Sequence, residues 1–320
     1  MKKSTALGID GMNFQLELIG ADKSIFMDRH ELKNLHSVDY ATVEVEKGIL
    51  FVYVNAPQIF RKDNIYPCSV FDLSGITDIK DSLICDLQRI LDENRIYCDV
   101  SKSILKRIEC GITSKVVGDC TASQVQELMN RSFDKVKVYQ RTSKKCLCRK
   151  ENESSYWIKK GYYEFKAYDK SLEEREKGNF DVESGLLRIE VAFQMRTIKR
   201  LFGVEPTFEN IFSEEGFIKV IKEFCRVFSE EVIEQYIKLC LIKLTNTLFE
   251  FLTETDSPTE TLARHRDIVL DEVVLRRALK KWYALRGKPD NSRQAIHDLQ
   301  KYDLPRDVVK TLKKFHKLCI

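Results

Sequence analysis

Up to Phe202 the apolar positions recur mostly with a period of two; after it they recur with the helical period. GMNFQLEL alternates apolar and polar side chains and predicts a strand with one buried face. ATVEVEKGILFVYVN predicts two strands around an EKG turn, and Pro57 and Pro67 punctuate the loop that follows. Leu83, Ile84, Leu87, Ile90 and Leu91 form the stripe of a helix over 78–94. LKRIECG predicts a strand, TASQVQELMNRSF a short helix capped by Thr121 or Ser123, and KVKVYQR, YWIKKG, YYEFKAYDK and GLLRIEVAFQM further strands.

The order β-β-β-α-β-α-β-β-β-β crowds strands together and inserts helices only twice. It predicts an α+β domain with a largely antiparallel sheet and helices on one side. A doubly wound nucleotide fold is disfavoured, because regular βα alternation and a glycine fingerprint are absent. Beyond GVEPTFENIF the stripes are helical almost to the end. VVLRRALKKWYALRG reads as a helix stopped by Gly287 and Pro289, and Ser292 and Asp303 can open two short final helices. A boundary at 203–208 divides a domain over 1–205 from a helical region over 206–320 that could bind DNA or a partner, although the two parts could share a core.

With 43% hydrophobic residues in 320, the chain can bury a sizeable core. No stretch approaches the roughly 20 apolar residues of a membrane span, so cytoplasmic work is expected. Ten scattered cysteines fit a reducing compartment. Cys146 and Cys148 form an isolated CxC, a weak zinc signal without a second close pair. Five histidines form neither HxH nor HExxH, and His30 and His36 read as surface groups. A net charge of +4 says little, but its distribution says more: eleven Lys or Arg lie within 141–177, and thirteen against six acids within 271–320. Both zones could face phosphate or solvent.

Strand parity then sorts the chemistry. Tyr163, Phe165 and Ala167 point to a core, and Glu164, Lys166, Tyr168 and Lys170 point away. Arg107 and Glu109 oppose Ile108 and Cys110; Arg188, Glu190 and Gln194 oppose Leu187, Ile189 and Val191. Three strands can thus gather Glu109, Glu190, Tyr168 and Lys170 on one polar face. That face suits either cross-strand ion pairs or Mg²⁺- or Mn²⁺-assisted phosphodiester cleavage, with a tyrosine attacking phosphorus and basic residues holding the backbone. Asp10, in GIDG, could approach the site or merely start a strand, and the strand start is the favoured reading.

The RIE (107–109), YDK (168–170) and LRIEV (187–191) segments, with the PQIFRKDNIYP loop, resemble the phage and plasmid rolling-circle replication proteins over residues 8 to 225, nearest the filamentous-phage gene II/X-like group. The resemblance implies a Rep/relaxase-like nuclease domain that binds a replication origin and nicks one DNA strand, leaving a 3′-hydroxyl and a phosphotyrosine link. It implies Glu109 and Glu190 as ligands of Mg²⁺ or Mn²⁺, Tyr168 as nucleophile with Tyr162 and Tyr163 in reserve, and Lys170 as phosphate ligand or activator. Arg107, Lys166 and Arg188 are expected to contact DNA, and a helicase and a polymerase are expected partners. Two departures stand out: no His-hydrophobic-His triplet exists, and SLEEREK follows YDK where some relatives place a tyrosine. The alternative is a DNA-binding relative that does not cut.

Overall fold

A computed structural model describes residues 5–125 and 155–319, apart from 18–19, 22–34, 39–40, 47–48, 62–64, 70–71, 74, 94–95, 161–162, 204–205, 231, 235–240, 255–256, 259–260, 262–263, 266–270 and 300–306. KVKVYQR, Cys146, Cys148, His30, Tyr162 and Asp303 lie outside the described residues.

The strands are β1 (Thr5–Glu17), β2 (Gly20–Ala21), β3 (Leu35–Val38), β4 (Ala41–Glu46), β5 (Ile49–Asn55), β6 (Ile96–Tyr97), β7 (Ile104–Lys115), β8 (Ser155–Lys160), β9 (Tyr163–Asp169) and β10 (Leu186–Gln194). Eight form one sheet in the order β3-β4-β5-β1-β7-β10-β9-β8, and every pairing in it is antiparallel. β2 and β6 pair separately. The largely antiparallel sheet followed by a helical region agrees with the periodicity of the sequence.

The helices are α1 (Ala56–Arg61), α2 (Ile76–Glu93), α3 (Lys170–Glu176), α4 (Met195–Phe202), α5 (Phe208–Ile211), α6 (Glu214–Val227), α7 (Leu241–Glu254), α8 (Glu272–Leu285), α9 (Ser292–Leu299) and α10 (Val308–Lys317). α1 was expected to be loop. Pro57 is its second residue, where the missing N–H costs no helical bond, so proline opens a helix here instead of ending one. The Thr121 hydroxyl accepts from the Gln124 N–H, and the Gln124 side chain accepts from the Thr121 N–H. This reciprocal cap starts the helical turn at 122–125.

One face of the sheet is apolar, because Ile9, Met12, Phe14, Val52, Val54, Ile108, Phe165, Ile189 and Val191 all project from it and are buried. Helices from both sides of residue 206 cover it. Phe14 of β1 packs on Phe208 at 4.6 Å between ring centres, Phe208 stacks on Phe212 at 5.3 Å, and Phe212 meets Phe217 edge-on at 5.6 Å. The helical region therefore closes the hydrophobic core of the strand region. The opposite face carries the polar side chains.

Candidate metal centre

β1 does not keep one parity. Ile9 pairs with Cys110 and Gly11 with Glu109, so Asp10 is an extra residue with no partner of its own. Ile9 pairs with Cys110 and Met12 with Ile108, which share one face of β7, so Ile9 and Met12 share a face although three residues apart, which an unbroken strand cannot achieve. The bulge re-aims Asp10 onto the polar face beside β7. There Asp10 meets Glu109 of β7 and Glu190 of β10. One oxygen from each carboxylate lies within 4.8 Å of the others, and all three residues are buried. Asp10 is thus a member of the cluster, contrary to its reading as a plain strand start. The signal was present in LGIDGMNFQL: Leu7 and Ile9 are odd, whereas Met12, Phe14 and Leu16 are even.

A missing side chain on β7 admits Glu190. A Cβ on Gly111 would sit 2.9 Å from Glu190 Cγ, so only glycine lets Glu190 lie across that position. Tyr168 lies on the same face, and its hydroxyl donates to Glu190 Oε1 at 2.6 Å. Lys166 Nζ stands 3.4 Å from Glu109 Oε1 and 4.0 Å from Glu190 Oε2. Arg107 Nη2 forms an ion pair with Glu109 Oε1 at 2.6 Å and donates to Glu164 Oε2 at 3.1 Å.

Arg188, expected to contact DNA, is instead fully buried. Its Nη1 donates to Asp10 Oδ1 at 2.9 Å and Glu190 Oε1 at 3.4 Å, its Nε to Thr113 Oγ1 at 2.8 Å, and its Nη2 to the Ile65 carbonyl at 2.6 Å. The guanidinium organises the carboxylates from within. Lys170, expected at the end of a strand, is the first residue of α3. Its side chain is 1% exposed and its ammonium sits 2.7 Å from both Glu173 and Glu174. The motif YDK therefore divides its labour. Tyr168 ends the strand on Glu190, the Asp169 carboxylate caps α3 by accepting from the Leu172 N–H, and Lys170 is held by its own helix. Tyr163 is buried on the apolar face, away from the carboxylates.

Charge is unevenly shared. Burial, reinforced by the Glu190 and Glu109 charges, lifts Asp10 to about 7 against the pull of Arg188. At Glu190 the cost of burial is outweighed by Arg188, Lys166 and the Tyr168 hydrogen bond, which hold it below the ordinary carboxylate range. Burial and the adjacent Glu190 push Tyr168 well above an ordinary phenol. Burial is the main reason that Asp10 keeps a proton, and the Glu190 and Glu109 charges add to it. Hard carboxylate oxygens gathered in this way fit Mg²⁺ or Mn²⁺.

The raised Asp10 acidity constant has a measurable consequence. Between about pH 4 and about pH 7 the folded chain keeps a proton that the unfolded chain has released. Stability from this group therefore falls as pH rises through that window, by up to about 4 kcal/mol in all. Asp10→Asn should flatten that component of the slope. Calorimetric melting of both proteins in EDTA at pH 5 and pH 8 checks this, and identical pH dependence would show that Asp10 titrates normally.

The fold and site together define an antiparallel sheet that carries a buried acidic cluster able to hold a divalent cation. No family model and no curated protein matches the sequence. Among solved structures, the chain is similar to the rolling circle replication initiator protein from Geobacillus stearothermophilus, at TM-score 0.33 and 9% identity, over 69% of this chain and 84% of that one. A likeness that loose carries no argument about this chain's chemistry. No helix among the described residues is long and apolar enough to cross a membrane.

Proposed function

We propose that the chain is a metal-dependent DNA strand transferase that nicks one strand at a replication origin. The observation that carries this reading is the convergence of Asp10, Glu109 and Glu190 from three adjacent strands, with the Tyr168 hydroxyl 2.6 Å from Glu190. The RIE, YDK and LRIEV motifs support the finer assignment to the filamentous-phage gene II/X-like group. The division into a catalytic part over 1–205 and a helical DNA- or partner-binding part over 206–320, and an exchange with helicase and polymerase, belong to the same proposal.

Asp10, Glu109 and Glu190 would hold a divalent cation, which would supply Lewis-acid polarisation of a phosphoryl oxygen and positive charge that favours the phenolate. Tyr168 Oη forms the bond to phosphorus as its proton leaves towards Glu190 Oε1. The bond from phosphorus to the 3′ oxygen breaks, and that oxygen departs as a 3′-hydroxyl after taking up a proton. No water is consumed, so the phosphotyrosine link keeps the energy needed for rejoining. Arg107 and Lys166, both partly exposed at the rim, hold the phosphates. Arg188 and Lys170, being enclosed, position the carboxylates and the turn after Tyr168.

A non-cutting DNA-binding relative is the second reading. It is favoured by one observation: Arg188 already places a positive charge among the carboxylates. Incubation with Mn²⁺ or Mg²⁺ and supercoiled or single-stranded DNA carrying the repeats beside the gene separates the two. The expected result is a nick and a protein–DNA adduct at Tyr168, both lost in EDTA and in Tyr168→Phe. Specific binding without a nick under either metal would establish the second reading.

A further inference from the structure

Beside the carboxylates runs a second row of polar side chains whose place in the strand register is fixed. Tyr53 of β5 pairs with Asn13 of β1, Asn13 pairs with Arg107 of β7, and Arg107 pairs with Gln194 of β10. Residues directly opposite across antiparallel strands share a face. The apolar neighbours Met12, Phe14, Val52, Val54 and Ile108 are fully buried on the other side, so the row stands on the same face as the site. It is an aromatic ring, a carboxamide, a guanidinium and a second carboxamide in line.

Three features set this row apart from an ordinary solvated surface. Asn13 Oδ1 and Arg107 Nε are both buried polar atoms without a hydrogen-bond partner among the described residues. Such atoms cost free energy in an unliganded protein, and a ligand that pairs with them recovers it. Tyr53 is the third feature. It is 39% exposed, and its hydroxyl lies 2.4 Å from where a Cβ on Gly11 would stand. Gly11 pairs with Glu109, so the missing side chain lets the Tyr53 ring lean from its own row over the carboxylate row. The ring therefore bridges a reachable surface and the proposed metal centre.

We propose that Tyr53, Asn13 and Arg107 form a nucleotide subsite next to the carboxylates, which takes one base of a single-stranded DNA. For its ligand the proposal rests on the DNA-nicking reading above. The face of Tyr53 stacks on the base, as an exposed aromatic ring on a sheet can do for any base. The unpaired Asn13 oxygen accepts from an exocyclic amino group, which adenine, cytosine and guanine carry and thymine lacks. Arg107, held by Glu109 and Glu164 through Nη2, directs its unpaired Nε towards an acceptor on the same nucleotide. The subsite thus selects what lies beside the scissile phosphate, whereas the carboxylates act on the phosphate itself.

The test is direct binding without catalysis. Labelled dC20 and dT20 oligonucleotides are titrated with the full chain in EDTA, where no nicking occurs. Wild type should bind dC20 more tightly than dT20. Tyr53→Ala should weaken binding to both roughly tenfold, and Tyr53→Phe, which keeps the ring, should stay near wild type. Asn13→Ala should bring the dC20-to-dT20 ratio close to one while leaving dT20 affinity unchanged. Melting temperatures of the variants, compared with wild type, show that a loss is not unfolding. The proposal is overturned if folded Tyr53→Ala binds both oligonucleotides within twofold of wild type, or if Asn13→Ala keeps the wild-type ratio. A metal-dependent adduct at Tyr168 alongside either result would keep the nicking reading and discard only the subsite. The expected binding pattern with no nick under any metal would do the reverse.

Discussion

Asp10→Asn, Glu109→Gln and Glu190→Gln are each expected to lower the Mn²⁺-dependent nicking rate by roughly 100-fold or more. Lewis-acid stabilisation at a phosphoryl centre is worth several kcal/mol, and each 1.36 kcal/mol is a factor of ten. The substitutions are close to isosteric, so packing on the apolar face is untouched. Each replaces a carboxylate able to offer an anionic oxygen ligand with a neutral amide, and should therefore weaken Mn²⁺ binding measured by calorimetric titration. The three should not behave alike with pH. Wild-type affinity should rise up to about pH 7 as Asp10 gives up its proton, then level off. In Asp10→Asn that rise should be blunted, whereas Glu109→Gln should keep it at lower affinity. Full nicking activity and unchanged Mn²⁺ affinity in all three would dismiss the metal centre and leave an ion-pair network.

Arg188→Met is expected to destabilise the fold by about 3–5 kcal/mol at neutral pH, because it removes one partner of a buried charge cluster. Asp10, Glu190, the Thr113 hydroxyl and the Ile65 carbonyl would all lose a donor at once. The loss should shrink at acid pH, where the carboxylates take up protons. Arg188→Lys should rescue little, since a single ammonium cannot reproduce a fork whose Nε, Nη1 and Nη2 serve different acceptors. Adding Asp10→Asn and Glu190→Gln to Arg188→Met should recover much of the stability by removing the stranded charges. Chemical denaturation of the series measures this. If Arg188 served instead as a DNA clamp, Arg188→Met would melt like wild type and lose only DNA affinity.

Much of the site was legible because strands write their faces into the sequence. Parity alone separated Tyr168 from Tyr163, and put Glu109 and Glu190 opposite Ile108 and Ile189. The structure keeps that sorting. Parity could not show which strands are neighbours, so the pairing of Glu190 with Gly111 and Lys166 was out of reach. It also assumed unbroken strands. The bulge at Asp10 breaks that assumption, and the third carboxylate hid behind it. Lys170 was placed on the strand for a related reason: Asp169 is a helix cap as well as a strand residue, and the cap decides where the strand stops. Arg188 was read by charge, as a residue for solvent or DNA. Burial depends on what packs above a face, in this case the loop that offers the Ile65 carbonyl, and no local pattern reports that. The helical region was recognised by its period, but its role as the lid of the sheet's core needed Phe208 and Phe212 to be seen against Phe14.

The order in which the chain is made gives the cluster a history. Asp10 is synthesised 178 residues before the arginine that pairs with it. The rings that seat β1 against the core come later still, at Phe208, Phe212 and Phe217. Until then Asp10 is an ordinary solvated acid with no cluster to join. Contacts of such long sequence separation form slowly, since a large loop must close before any of them is made. A nascent chain of this protein therefore carries Asp10 without its acidic cluster until β7, β10 and the rings that seat β1 have left the ribosome, so the carboxylates able to hold a cation come together late.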